Sequence, residues 1–146
     1  MNVTNEMTME FDSRSENESF ARSAAAAFVM QLDPTVSEIG DIKTAVSEAV
    51  TNCVVHAYRG RKGKIRLSVR FTGDNTVVIK ITDRGCGIED VHKAMEPLYT
   101  TSADEERAGL GFAVMQSFCD DVSVRSSAGK GTTVTLKKKL SPRYAR

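Results

Sequence analysis

Glu48-Ala-Val-Thr-Asn52-Cys-Val-Val-His56, followed by Asp83-Arg-Gly85-Cys-Gly87 and Gly109-Leu-Gly111, is the run of motifs whose reading decides the fold. Glu48, Asn52 and His56 recur every four residues, so they share one stripe of a helix expected from about residue 36 to 58. Its apolar face carries Ile39, Ile42, Val46, Ala49, Val50, Cys53, Val54 and Ala57. A carboxylate, an amide oxygen and an imidazole on one stripe suit a magnesium-bound triphosphate. Asn52 offers the hard oxygen that magnesium accepts beside phosphate and water, and Glu48 is placed to orient or deprotonate a hydroxyl nucleophile. The same spacing is also that of an ordinary amphipathic helix with a solvated side, and His56 equally fits a structural or capping role.

Asp83 closes an apolar strand and is followed at once by Gly85 and Gly87. A strand-end carboxylate can accept from a purine amino group, while glycine lets a backbone approach closely at positive φ. Asp-x-Gly is equally good chemistry for a plain tight turn. Gly109 and Gly111 stand at the entrance of a third helix patterned by Leu110, Ala113, Val114 and Phe118, where free N–H groups would face anionic oxygens. The long connection before it holds Thr100, Thr101 and Ser102, then Asp104-Glu-Glu-Arg107; it fits a lid with Arg107 for phosphate, or a solvated loop. The Walker, dinucleotide-fold and ordinary protein-kinase patterns are absent, so a nucleotide site here is of another kind.

Outward from the motifs, Met7, Met9 and Phe11 alternate with polar residues as in a half-buried strand. Ser15-Glu-Asn-Glu18 has capping-box spacing and predicts a helix through Phe20, Ala24, Ala27 and Phe28, ended by Asp33-Pro34. Ile65, Leu67, Val69 and Phe71 alternate along a strand that turns at Gly73-Asp-Asn75 into Thr76–Thr82. A short helix is expected over 89–95, and strands over Val122–Ser126 and Thr132–Leu140. This order predicts an α+β, two-layer α/β sandwich: a mostly antiparallel sheet with helices collected on one face.

Composition agrees with one domain over residues 1–146: 40% of residues are hydrophobic and 27% charged, enough core and too little charge for disorder. Twenty Lys and Arg against 19 Asp and Glu give a net charge of +1, which supplies no general pull toward nucleic acid. Lys137 to Arg146 is the basic cluster, ending in a tail over 141–146, and it reads as a solvated terminus. With no signal-like N-terminus, and Ala24–Met30 too short to span a bilayer, the expectation is a soluble cytoplasmic protein without membrane contact. Cys53, Cys86 and Cys119 lack metal spacing and read as free thiols.

Together the three motifs resemble the N, G1 and G2 boxes of the Bergerat ATP-binding fold shared by gyrase, Hsp90, histidine kinases and MutL. Asn17-Glu-Ser-Phe-Ala-Arg22, Gln31-Leu-Asp-Pro34, Val46-Ser-Glu-Ala-Val-Thr-Asn52, Pro97-Leu with Thr100-Thr101, and Gly131-Thr-Thr133 narrow the resemblance to the anti-sigma F factors of endospore-forming bacteria, over about Met7 to Leu140. That resemblance implies a serine kinase that uses ATP and Mg2+, holds a sporulation sigma factor, and phosphorylates an anti-anti-sigma protein. It implies Glu48 as general base, Asn52 as magnesium ligand, and Asp83 with Thr132 as adenine contacts. Gly109, Leu110 and Gly111 would meet the phosphates under a lid over 97–108. A homodimer is implied too, with the first strand and helix near the subunit and partner surfaces and Arg22 as the candidate partner-binding residue. The chain departs from the pattern at Ala57 and Ala108, where the family usually has Gly and Ser. Three alternatives stand beside this reading: the similar anti-sigma kinase of the general stress response, a nucleotide-gated sequestering module without phosphate transfer, and a detached histidine-kinase ATP domain.

Overall fold

The computed structural model describes residues 3–59, 61–88, 91, 95 and 112–142. Five strands form one antiparallel sheet: β1 (Val3–Asp12), β2 (Lys64–Thr72), β3 (Thr76–Asp83), β4 (Asp121–Ser127) and β5 (Gly131–Lys139), in the order β1-β2-β3-β5-β4. Strand alternation sends odd-numbered residues of β2 and β3 to one face, where Ile65, Leu67, Val69, Phe71, Val77, Ile79 and Ile81 are all nearly inaccessible. Helices α1 (Glu16–Val29) and α2 (Val36–Asn52) supply most of the second layer, with a further helical segment over 112–118. The α+β sandwich is therefore present as expected.

Registers align the inner face into transverse rows. One runs Met9, Leu67, Ile81, Val134, Val124 and is wholly apolar. The row nearest the end of β3 runs Phe11, Ile65, Asp83, Thr132, Ser126, so it changes from apolar to polar halfway across the sheet. That change in one row sets where a polar ligand can meet the core.

Several expectations are corrected. The helix from Ser15 forms without a side-chain cap, because Ser15 itself is helical (φ −59°, ψ −35°); the capping box belongs to Thr35 and Glu38 at the start of α2. There the Thr35 N–H donates to Glu38 Oε1 at 2.8 Å and the Glu38 N–H to Thr35 Oγ1 at 3.1 Å. The buried stripe of α1 is Ala21, Ala25, Ala26 and Val29, leaving Ala27 and Phe20 exposed, since a run of alanines does not fix the helix phase. The segment 112–118 likewise buries Phe112 and Met115, with Ala113, Val114 and Phe118 only partly covered. Finally, α2 ends at Asn52 and continues as a π-helical turn, Cys53–Ala57, in which the Tyr58 N–H reaches back five residues to the Cys53 carbonyl at 3.1 Å. His56 therefore does not continue the α-helical stripe of Glu48 and Asn52. Of the helix expected over 89–95, Val91 and Met95 are helical and the rest lies outside the described residues.

Candidate functional site

Asp83 is the buried carboxylate of the sheet, 5% exposed at the last position of β3. Its Oδ1 accepts the Gly85 N–H at 2.9 Å, which bends the chain out of the strand, and its Oδ2 accepts the Cys53 thiol at 3.4 Å. Burial pushes its carboxyl above the usual range, and hydrogen bonds from the Gly85 N–H, the Cys53 thiol and the Thr132 N–H pull it partly back. Two oxygens offer about four acceptor positions, so capacity remains for an incoming donor. Burial and the adjacent Asp83 charge drive the Cys53 thiol well above its usual range, which keeps it a donor.

Thr132 lies directly across the ladder from Asp83 and Ser126 directly across from Thr132. Ser126 Oγ accepts the Ile88 N–H at 2.7 Å, lies 2.9 Å from the Gly131 carbonyl as its donor, and is 2.7 Å from Thr132 Oγ1. A hydroxyl has one proton. With that of Ser126 given to Gly131, the Thr132 hydroxyl must donate to Ser126, which leaves Thr132 Oγ1 as an acceptor beside Asp83. Two acceptors side by side suit an exocyclic amine with its two N–H groups.

The turn after Asp83 is held from both sides. The Cys86 N–H donates to the Ala57 carbonyl at 2.9 Å, and the Gly129 N–H donates to the Cys86 carbonyl at 2.6 Å. A Cβ on Gly85 would lie 2.4 Å from the Ala57 oxygen, and one on Gly87 (φ +75°) 2.0 Å from the Ser127 oxygen, so both positions require glycine. The π turn thus presents the Ala57 carbonyl to the glycine turn. Tyr58 adds a clamp: its hydroxyl donates to the Lys64 carbonyl at 2.6 Å and accepts the Arg84 N–H at 2.8 Å.

Upstream on α2, Glu48 and Asn52 are both half-buried and one helical turn apart, about 6 Å along the axis. Asn52 Nδ2 is buried without a hydrogen-bond partner among the described residues. A buried donor in that condition costs stability unless an acceptor meets it, which fits a residue kept for a ligand that presents oxygen atoms. Arg22 on α1 reaches Glu18 and Ser47 Oγ, each at 3.4 Å, and Ser19 Oγ at 3.2 Å, so it braces α1 to the residue preceding Glu48 while staying partly exposed.

The fold therefore brings Asp83, Gly85, Gly87 and Thr132 into one constellation and ties it to α2, which carries Glu48 and Asn52, through the Ala57 carbonyl. Thr101, Arg107, Gly109, Leu110 and Gly111, with Ala108 and most of the expected lid, lie outside the described residues. Sequence reading missed Cys53, Tyr58 and Ser126. Cys53 read as part of the apolar face and Tyr58 only as the end of the helix, and Ser126 signals itself only through its register against Thr132.

Residues 11–138 match the family described as Histidine kinase-like ATPase domain. Over 138 residues the chain is 56% identical to an anti-sigma F factor of Caldanaerobacter subterraneus, covering 94% of this chain and 96% of the relative. It is also 56% identical to an anti-sigma F factor of Pasteuria penetrans, covering 93% and 91%. Among solved structures, the RsbU and RsbW domains of a Mycobacterium tuberculosis protein superpose with a TM-score of 0.69 at 24% identity, over 95% of this chain and 33% of that one. A blue-light activated histidine kinase of Erythrobacter litoralis superposes with a TM-score of 0.60 at 22% identity, over 85% and 42%. At those identities the structural likeness speaks to fold.

Proposed function

From the premise that this chain belongs to the anti-sigma F factors of the histidine kinase-like ATPase family, we propose that it binds a sporulation sigma factor and phosphorylates a serine of an anti-anti-sigma protein with ATP and Mg2+. The observation that carries the reading is the Asp83 constellation joined through Ala57 to the helix bearing Glu48 and Asn52. Asp83 and Thr132 would take the adenine amino group as paired acceptors. Asn52 would hold magnesium through its amide oxygen, and the ion would offset the negative charge of the transferring phosphate. Gly109, Leu110 and Gly111 would donate backbone N–H groups to phosphate, with Thr101 and Arg107 closing over them.

In the transfer, the acceptor serine oxygen bonds to the γ-phosphorus as the bond to the bridging β–γ oxygen breaks and ADP departs. Glu48 takes the serine proton. Catalysis of this kind depends on positioning and charge more than on covalent help, which matches a site assembled from backbone turns and two helical side chains. Partner binding falls to α1, where Arg22 is half-exposed and Phe20 is 56% exposed. Subunit pairing would use the neighbouring free edge of β1.

The test is transfer of radiolabelled γ-phosphate to the anti-anti-sigma protein by the parent chain and by Glu48→Gln. Transfer lost in the variant with ATP still bound supports the assignment; equal loss of ATP affinity removes Glu48 from the role of base. No transfer by the parent, with ATP bound, leaves a nucleotide-gated sequestering module.

A further inference from the structure

The solvent face of the sheet has its own order. Its rows read Glu6, Arg70, Val78, Lys137, Asp121; then Thr8, Ser68, Lys80, Thr135, Ser123; then Glu10, Arg66, Thr82, Thr133, Arg125. Across β2 to β4 this surface is concave, with a cavity of about 540 Å3 lined by Arg70, Lys80, Arg125 and Lys137, the hydroxyls of Thr82, Ser123, Thr133 and Thr135, and a single carboxylate, Asp121.

Three observations set this cavity apart from a solvated sheet face. Arg66 and Glu10 pair across the strands at 3.6 Å, but Arg70, Lys80, Arg125 and Lys137 have no ion-pair partner among the described residues, although Lys137 stands directly opposite Asp121. Arg70 Nε is buried with no acceptor among the described residues. Val78, on the outward face directly between Arg70 and Lys137, is only 4% exposed, which fits the aliphatic stems of those neighbours lying over it. Four cations interleaved with hydroxyl donors, one of them with a desolvated N–H unmet, is the chemistry of an anion site.

We propose that the solvent face of the sheet holds a second binding site, separate from the nucleotide site, for a small ligand carrying two or more adjacent negative charges, of the pyrophosphate class. Cavity size favours a small molecule over a protein segment, since pockets for small ligands run from about 300 to 1,000 Å3. The two sites are back to back. Thr82 and Thr133, whose hydroxyls are 3.2 Å apart, line the outer cavity, while their chain neighbours Asp83 and Thr132 face the inner site.

Titration of the full chain with inorganic pyrophosphate, followed by amide chemical shifts, tests the site independently of any kinase activity. Saturable shifts are expected at Thr82, Ser123, Arg125, Thr133 and Thr135. Affinity should fall at least tenfold in Lys80→Gln/Lys137→Gln, while Asp121→Asn, which removes the one carboxylate, should tighten binding severalfold. Shifts that rise linearly and are matched by sodium chloride of equal ionic strength overturn the proposal. So do shifts confined to Gly85 and Gly87, which place pyrophosphate in the nucleotide site instead. Saturation by a glutamate-rich peptide but not by pyrophosphate assigns the face to a protein partner and overturns it equally. Outer-face broadening that grows with protein concentration alone assigns the face to a second copy of the chain, with the same consequence.

Discussion

The Cys53 thiol donates to Asp83 Oδ2 at 3.4 Å, across 30 residues of sequence, and both groups are buried. The contact means that the carboxylate offered to a purine is oriented by a side chain of the helix bearing Asn52. Cys53→Ala removes that donor and is expected to cost about 1–2 kcal/mol in chemical unfolding. It should also weaken ATP binding severalfold, with Cys53→Ser restoring much of it. Restoration by Ser tests orientation, because a role in packing volume alone would not depend on a hydroxyl.

Reagent access should separate the thiols. Cys86 is exposed in the glycine turn, whereas Cys53 is buried and held protonated by burial and by Asp83. Alkylation of the native chain, mapped by mass spectrometry, is expected to modify Cys86 first and to reach Cys53 only on unfolding.

Asp83 should leave a mark on the pH dependence of stability. Its carboxyl is raised in the folded state, chiefly by burial, above the unfolded value near 3.8. The folded chain therefore holds that proton more tightly, so this group's contribution is fully present below the unfolded value and is lost as pH rises through the folded one. Asp83→Asn is expected to flatten that decline and to be no less stable than the parent at neutral pH. The same variant should lose ATP binding, since an amide in place of the carboxylate presents a donor where the purine amine needs acceptors.

Glu38 has the opposite sign. Burial raises its carboxyl, but hydrogen bonds from Thr35 and Ser141 outweigh burial and lower it from 4.5. Its stabilisation is present above the unfolded value and disappears as pH falls through the folded one. Because Glu38 closes the capping box and also accepts the Ser141 N–H at 2.8 Å, Glu38→Ala should cost about 1–2 kcal/mol at neutral pH and loosen the chain after β5. Hydrogen exchange at Ser141 is the check.

Base selectivity follows from the proton count around Ser126. Paired acceptors at Asp83 and Thr132 would oppose the guanine carbonyl, so ATP should be preferred to GTP by at least about a hundredfold. Competition binding measures it, and equal affinities would show that Thr132 is not an acceptor.

Much of this was readable beforehand, for definite reasons. Period-two alternation located β1 and β2 because a one-sided core leaves no other pattern, and Gly73-Asp-Asn75, with Asn75 at φ +62°, marked the turn that leads into β3. Asp83 was visible because it ends an apolar strand as a potential acceptor with Gly85 and Gly87 following at once, although that pattern alone also fits a tight turn. The Ser15 spacing misled because capping is decided by backbone dihedrals, and the equivalent signal at Thr35-Val-Ser-Glu38 carries the real box. Nothing local could announce the π turn: it is a choice between two carbonyls for one N–H, settled by what the end of the helix docks against.

That turn also sets a length. With five residues between Asn52 and Tyr58, the chain places the Ala57 carbonyl on the Cys86 N–H. Deleting any one of them would restore ordinary pitch and swing everything beyond by about 100°. The span from Asn52 to the carbonyl that holds the glycine turn is thus counted in residues.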